Sequence, residues 1–371
     1  MSWTRLTAMA RKEWIQLRRD PRSMTLAFVL PVLMLLVFGY AITWDVNDLD
    51  LVVLDQDRTA RSRSLVEAFT ASGYFTIVER LETYAAVDAA VGRGNAASVL
   101  VIPPRFSEDL ASGRTAPVQL LLDGADANSA TIAFNYADAI VDRWSRDAIL
   151  KGRTLQAPLT TELRTWYNPT LESRNMIVPG LIAVIMMTIA AMLTALTIAR
   201  EWERGTMEQL ASTPATKLEI LIGKLMPYVA IGLIDVALIV VAGLLVFGVP
   251  FRGPVVVFFA QTFLFLVGAL GLGMLISAAA KSQFLATQVA LITTLLPAML
   301  LSGFLFEIEA MPGVLQGVTY LVPARYYVVV ARGIMLKGVG PDVLWIQSVF
   351  MIVFAVAGLA LAARVFRKEV A

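Results

Sequence analysis

The sequence contains no histidine and no cysteine. Their absence removes imidazole bases, Ser-His and Cys-His nucleophile pairs, Cys/His zinc sites, haem ligated through His or Cys, and Cys-held iron–sulfur clusters. No disulfide can form, so cysteine is silent on redox compartment. Charge is scarce too: 16% of residues are charged, against about one quarter in soluble domains. A net charge of +2 is too small to point to nucleic acid. What is abundant is apolar side chain, 57% of the chain.

The charges are unevenly placed. Residues 45–174 hold 18 acidic and 13 basic side chains, 31 of the 60 in the molecule. Outside that stretch lie six runs, 24–44, 175–199, 225–251 (interrupted only by Asp235), 253–280, 282–306 and 343–363. Each is long enough to cross a bilayer, which takes roughly 20 apolar residues. A buried soluble helix explains one such run but not six. The expectation is an integral membrane protein with a soluble domain set into it.

With the N-terminus inside, the short inside segments carry fourteen Lys and Arg and the outside segments four. The positive-inside rule then puts both termini in the cytoplasm and the 45–174 domain outside. The first run exceeds the 7–15 residues of a signal-peptide core and lacks an A-x-A site, so it reads as an uncleaved anchor. Before it, Trp3, Leu6, Ala10, Trp14 and Leu17 form one helical stripe, with Arg5, Lys12, Gln16 and Arg19 opposite. That pattern predicts an amphipathic helix on the cytoplasmic membrane surface, ended at Asp20-Pro21. A positive flank that merely fixes topology is the plainer, compatible reading.

The outer domain alternates strand-like and helical stretches. Strands are expected at 51–54, 74–78, 98–102 and 118–122, and helices at 59–71, 84–91, 106–111 and 128–150, which implies an α/β layer. Asp55, Asp57, Asp123 and Asp126 follow strand ends, where α/β ligand sites occur, but their neighbours favour turn and cap roles.

The loop after the second run is the most informative stretch. Thr206 with Gln209 fits a capping box, so a short helix should start after Gly205 and stop before Pro214. Thr216 with Glu219 fits a second box. A short helix fixed between two spans either transmits a push from a cytoplasmic partner or is an ordinary loop. Here a resemblance enters. Arg200–Pro214, with Gly223-Lys224-Leu225-Met226-Pro227-Tyr228, resembles the coupling-helix region of bacterial ABC exporter permeases of type 2. Asn168-Pro169, Arg174-Asn175 and Val178-Pro179-Gly180 resemble the family's approach to its second span. Leu301–Phe304, Met311-Pro312, Thr319-Tyr320, Pro323, Arg325-Tyr326, Arg332-Gly333 and Leu336-Lys337-Gly338 resemble its external end. The layout is most similar to the multidrug-type permeases of drug and xenobiotic exporters.

The resemblance implies a transport subunit without enzymatic activity of its own. This chain binds no cofactor; ATP and Mg sit on a partner. The sequence agrees in having no G-x-x-x-x-G-K-[ST] loop, since Gly223-Lys224 is followed by leucine. Implied partners are ABC ATP-binding subunits, a second permease copy or paralogue, a periplasmic adaptor and the lipid bilayer, in a bacterial inner membrane, with no nucleic acid. Candidate ATPase-coupling residues are Glu201, Trp202, Glu203, Gly205, Thr206, Met207, Glu208, Gln209, Leu210, Thr213 and Pro214.

The external segment 307–342 has apolar pieces too short to span, split by Pro323, and reads as re-entrant or interfacial helices. The resemblance implies an external gate there, with a plain loop as the other reading. Its candidates are Glu307, Glu309, Pro323, Arg325, Tyr326 and Arg332, with Arg325 and Arg332 placed to pair with Glu307 or Glu309. Tyr326 and Tyr327 otherwise suit an interfacial belt. Asp235, the one acid inside a run, is the translocation-pathway candidate. It either meets a cationic substrate or a proton, or hydrogen-bonds to Gln261, Gln288 or Gln347. Gly268, Gly271 and Gly273 suit close helix contact, and Met186, Met187 and Met192 suit core packing before a drug surface.

The expected fold is therefore an α-helical integral membrane protein. It has a cytoplasmic amphipathic helix (1–23), a first span (24–44), an inserted α/β extracytoplasmic domain (45–174) and five further helices (175–371), with a coupling helix within 200–220. A membrane receptor or scaffold whose outer domain senses a ligand is the alternative. A secondary transporter would show internal repeats, and none is visible.

Overall fold

The computed structural model describes residues 2–42, 49–87, 98–122, 127–150 and 172–366. Asp123, Asp126, Asn168-Pro169, the end of the first run and the second half of the 84–91 helix lie outside them. The chain divides into two compact units, Met1–Ile42 with Arg164–Ala371, and Thr43–Leu163.

The larger unit opens with α1 (Trp3–Arg18), then α2 (21–41), which runs through Pro21–Met24, a π-helical stretch Thr25–Val29 and Leu30–Ala41. Pro21 heads α2, where its missing N–H costs no hydrogen bond.

The smaller unit holds a four-stranded sheet ordered β2-β1-β3-β4. Its strands are β1 (Leu49–Asp55), β2 (Phe75–Leu81), β3 (Ser98–Ile102) and β4 (Gln119–Leu122). β1 lies parallel to β2 and β3, and β4 is antiparallel to β3. The helices α3 (Ala60–Ala71), α4 (Phe106–Ala111) and α5 (Ala127–Leu150) complete it. Leu49, Leu51 and Val53 pack with Leu65, Val66 and Phe69 of α3 on one face, while Val52 and Leu54 pack with Val87, Val99 and Val101 on the other. A strand covered on both faces reads as a continuous apolar run, which is why Leu51–Leu54 does not alternate. Asp55 accepts from the backbone N–H of Asp57 (3.1 Å) and Arg58 (2.9 Å). Asp57 in turn takes the hydroxyls of Thr59 (2.6 Å) and Ser107 (2.5 Å). Both acids lock the turn after β1.

The larger unit resumes with α6 (Ser173–Glu203), α7 (Met207–Ser212), α8 (Lys217–Val246), α9 (Val255–Ala280) and α10 (Gln283–Leu300). Then come α11 (Gly313–Thr319), α12 (Pro323–Arg332, extended by a π-helical Gly333–Lys337) and α13 (Trp345–Val365). Five of these, α6, α8, α9, α10 and α13, are long and apolar enough to cross a membrane. The first run yields a shorter apolar helix, Thr25–Ala41. In the 307–342 segment, Gly313–Thr319 and Pro323–Lys337 meet at 81°.

The central helix is α6, almost wholly buried against α2, α8, α9, α10 and α12. Small residues allow this. A Cβ at Gly273 of α9 would run into the Ala191 carbonyl and the Thr194 hydroxyl of α6. Hydroxyls then join the two helices: Thr194 donates to the Leu270 carbonyl (2.9 Å), and Ser277 accepts the N–H groups of Ile198 and Ala199 (both 2.9 Å). Close backbones joined by hydroxyls are how helices associate where no hydrophobic force separates protein from lipid. Gly268 and Gly271 make the same approach to Phe354 and Gly358 of α13. Met186, Met187 and Met192 are buried, in keeping with core packing.

Candidate functional site

The site grows from the end of α6. Arg204 caps that helix and Gly205, at φ +67°, turns the chain through a conformation that favours glycine. Thr206 then opens α7, but its hydroxyl does not cap it. The hydroxyl is held by the Glu201 carboxylate instead, so the expected Thr206–Gln209 capping box is absent. A carboxylate five residues back is the stronger acceptor for that hydroxyl. The second box is present: Glu219 N–H donates to Thr216 Oγ1 (3.3 Å) and Thr216 N–H to Glu219 Oε2 (2.8 Å).

α1 crosses the start of α8 at Gly223, where a Cβ would stand 2.8 Å from that of Met9. The next residue, Lys224, is fully buried. Its ammonium reaches Glu13 of α1 at 2.9 Å and Glu201 of α6 at 3.2 Å. Glu201 also takes Lys12 at 3.0 Å, and Glu13 accepts the Tyr228 hydroxyl at 3.1 Å. Two carboxylates and two ammonium groups thus close a balanced cluster joining α1, α6 and α8, to which Thr206 at the head of α7 is bonded through Glu201. Around it, Arg200 pairs with Asp20 (2.8 Å) and meets Ser23 (3.3 Å) and Gln283 (3.4 Å). Glu203 accepts the N–H of Gln283 (2.7 Å), at the head of α10. Arg5 donates to the Pro214 carbonyl at 2.7 Å, and Lys281 lies over the Trp202 ring at 4.9 Å. Burying paired charges brings little net stability, but removing one partner strands the other.

The buried face of α1 is therefore Leu6, Glu13 and Leu17, with Trp3 and Trp14 exposed. The stripe expected from Trp3, Leu6, Ala10, Trp14 and Leu17 is turned toward Glu13. The reason is that Lys224 offers a buried carboxylate a partner, which apolar periodicity cannot register. Glu13 was not among the expected residues. Its signal was the 4-3-4 spacing Leu6-Ala10-Glu13-Leu17.

Of the expected coupling residues, Glu201, Met207 and Leu210 are turned inward and buried, whereas Glu203, Gly205, Glu208, Gln209 and Pro214 are exposed. Trp202, Thr206 and Thr213 are half-buried. Among the described side chains, the outward face of α7 is thus carried by Glu208, Gln209 and Ser212.

The external candidates separate. The Arg332 guanidinium donates to the backbone carbonyls of Met176 (3.1 Å), Gly303 (2.9 Å) and Phe304 (3.1 Å). Arg332 thus ties the turn just past α10 to the start of α6. Gly180 makes room, since a Cβ there would press on the Phe304 ring and stand 3.2 Å from Arg332 Nη2. Arg325 lies over the Tyr320 ring at 3.9 Å and bonds the Thr319 hydroxyl. Among the described residues Glu307 and Glu309 form no ion pair, so the expected pairing with Arg325 or Arg332 does not occur. Closer backbone and ring partners have taken both guanidiniums. Pro323 is buried at the head of α12. Tyr326 stacks on Phe350 at 4.7 Å, and Tyr327 is fully buried, stacked on Phe265 at 4.3 Å with its hydroxyl 2.6 Å from that of Thr262. Both are packing residues, not an interfacial belt.

Asp235 is buried and neither of its carboxylate oxygens has a hydrogen-bond partner among the described residues. The expected bonds to Gln261, Gln288 or Gln347 are absent. Gln261 instead donates to Ser348 at 2.6 Å.

A family profile described as "ABC-2 family transporter protein" matches residues 22–364. The chain is 39% identical over 366 residues to the probable multidrug ABC transporter permease YbhS of Escherichia coli (strain K12), covering 97% of this chain and 96% of that protein. It is 31% identical over 367 residues to the probable multidrug ABC transporter permease YbhR of the same organism, covering 99% of each. The linearmycin resistance permease protein LnrN of Bacillus subtilis (strain 168) is 19% identical over 335 residues, 83% of this chain and 85% of that one. Its apolar helices and permease relatives fit a multi-pass inner-membrane protein. With an ionic junction seating a short loop helix on its membrane helices, the chain belongs to the ABC-2 family of transporter proteins.

Proposed function

We propose that this chain is the membrane subunit of an ATP-driven exporter that moves hydrophobic or amphiphilic, drug-like compounds outward by alternating access. On this reading both termini are cytoplasmic, six helices cross the membrane and the α/β unit faces outward. ATP and Mg are bound by a separate ATP-binding subunit, and a second permease copy or paralogue completes the pathway. A periplasmic adaptor is a further partner. The 307–342 segment closes the outer end, and Asp235 lies on the route of cationic substrates.

One observation carries the reading: α7 is short, exposed along Glu208 and Gln209, and tied through Glu201 to Lys224, Lys12 and Thr206. Force applied to its outward face has no local place to dissipate. It passes into α1, α6 and α8 together. Glu208→Lys reverses the charge on that face and leaves every ion pair of the junction intact. The variant is expected to assemble normally in the membrane while substrate-stimulated ATP hydrolysis and efflux fall together, measured in vesicles with the ATPase present. Unchanged stimulation and efflux would sink the assignment of α7 as the coupling element.

A further inference from the structure

Between α1 and the end of α6 lies an open-sided cavity of about 460 Å³ whose lining includes Lys12, Gln16, Arg19, Asp20, Arg200 and Arg204. Four cations face one carboxylate there. Arg200 is satisfied by Asp20 at 2.8 Å and Lys12 by Glu201 at 3.0 Å. Arg19 and Arg204 are exposed and form no ion pair among the described residues. Two guanidiniums from different helix ends thus border one space whose one carboxylate, Asp20, is held by Arg200.

We propose that this cavity takes the phosphate headgroup of an anionic phospholipid from the cytoplasmic leaflet. This rests on the exporter reading for its placement of α1 on the cytoplasmic side. The depth is right for a headgroup: Pro21 on the rim begins α2, and Arg200 follows the apolar run of α6. The same helix exposes Trp3 and Trp14, side chains whose rings settle at headgroup level. Guanidinium forks fit phosphate oxygens in pairs and bind them more specifically than lysine does. The adjoining space shares Lys12, Gln16, Arg200 and Arg204 and reaches Gln209 and Leu210 of α7. What favours a lipid over an acidic side chain of the ATPase is therefore the position of Pro21 on the rim and the two exposed tryptophans of α1. A phosphate held by Arg19 and Arg204 bridges the α1–α2 connection to the α6–α7 turn. It braces the ionic junction from the membrane side, so the lipid composition of that leaflet regulates coupling.

The test uses the full-length permease, purified alone, with lipid retention read by native mass spectrometry in phosphatidylglycerol against phosphatidylcholine. The wild type is expected to retain phosphatidylglycerol selectively. R19Q/R204Q should bind it about a hundredfold more weakly, the effect of losing two charge-assisted hydrogen bonds to the phosphate. R19K/R204K should keep part of the affinity, and R11Q/R18Q, on the exposed face of α1, should keep nearly all of it. Equal retention by the wild type and R19Q/R204Q overturns the proposal. So does an equal loss in R11Q/R18Q, which means diffuse surface charge, or full displacement by millimolar inorganic phosphate, which means a free-anion site. Loss of ATPase co-purification in R19Q/R204Q with lipid retention intact assigns the cavity to an acidic partner side chain and also overturns it. Since retention is read without the ATPase, failure here leaves the exporter reading standing.

Discussion

The two ends of α6 are held by opposite chemistry. At its C-terminal end, side chains meet side chains: Arg200 meets Ser23 of α2, Glu201 meets Lys12 of α1 and Lys224 of α8, and Glu203 meets the Gln283 amide of α10. At its N-terminal end one side chain meets backbone, Arg332 donating to the carbonyls of Met176, Gly303 and Phe304. An ion-pair cluster can exchange partners while staying neutral. A guanidinium on three carbonyls cannot, because carbonyls offer no alternative cation. One end is held by interchangeable ionic partners and the other by fixed backbone acceptors.

The largest expected effect comes from breaking the ionic end. Lys224→Met leaves Glu13 and Glu201 facing each other in a buried site, at a cost of about 3–5 kcal/mol. A thermal melt of the purified permease should show it, and Glu13→Gln added to Lys224→Met should recover part of the loss. If Lys224→Met melts like the wild type, the cluster is not a closed unit. Next comes the backbone end. Arg332→Gln removes most of the donors serving three carbonyls and should cost about 3 kcal/mol, with no rescue by any single acid-to-amide change. A melt that such a change restored would make the two ends chemically alike.

A smaller effect sharpens the same end by sterics. Gly180→Ala pushes a methyl against Phe304 and Arg332 and should cost about 1–3 kcal/mol, non-additively with Arg332→Gln. Strict additivity would mean that Gly180 does not serve that guanidinium. Asp235, on α8 and held by neither end, gives the smallest stability change. Asp235→Asn is expected to melt at or slightly above the wild type, since it removes an unpartnered buried charge. Its efflux of cationic substrates should nonetheless fall. Wild-type rates would take Asp235 off the route.

Much of the fold was legible in local sequence. Long uncharged runs marked α6, α8, α9, α10 and α13, because length and hydropathy are properties of contiguous residues. Turn residues marked the strands of the smaller unit, and Thr216 with Glu219 announced the start of α8. The site was less legible. Gly223-Lys224 stood out only as a fragment of a motif, and Glu13 looked like an ordinary charge on a basic helix. Lys224 and Glu13 are 211 residues apart, and neither spacing nor composition links them. The same holds for Arg332 and Met176, 156 residues apart.

The sequence by itself determined which segments are long and apolar enough to cross a membrane, where the smaller unit interrupts the larger, and that a short helix breaks the chain between Gly205 and Pro214. Those follow from transfer free energies and backbone torsions, which each segment carries alone. Tertiary structure decided which charges neutralise one another, which face of α1 is hidden, and that Thr206 serves Glu201 in place of its own helix. Such choices depend on which groups packing brings within hydrogen-bond reach, and a buried charge takes the partner it finds there.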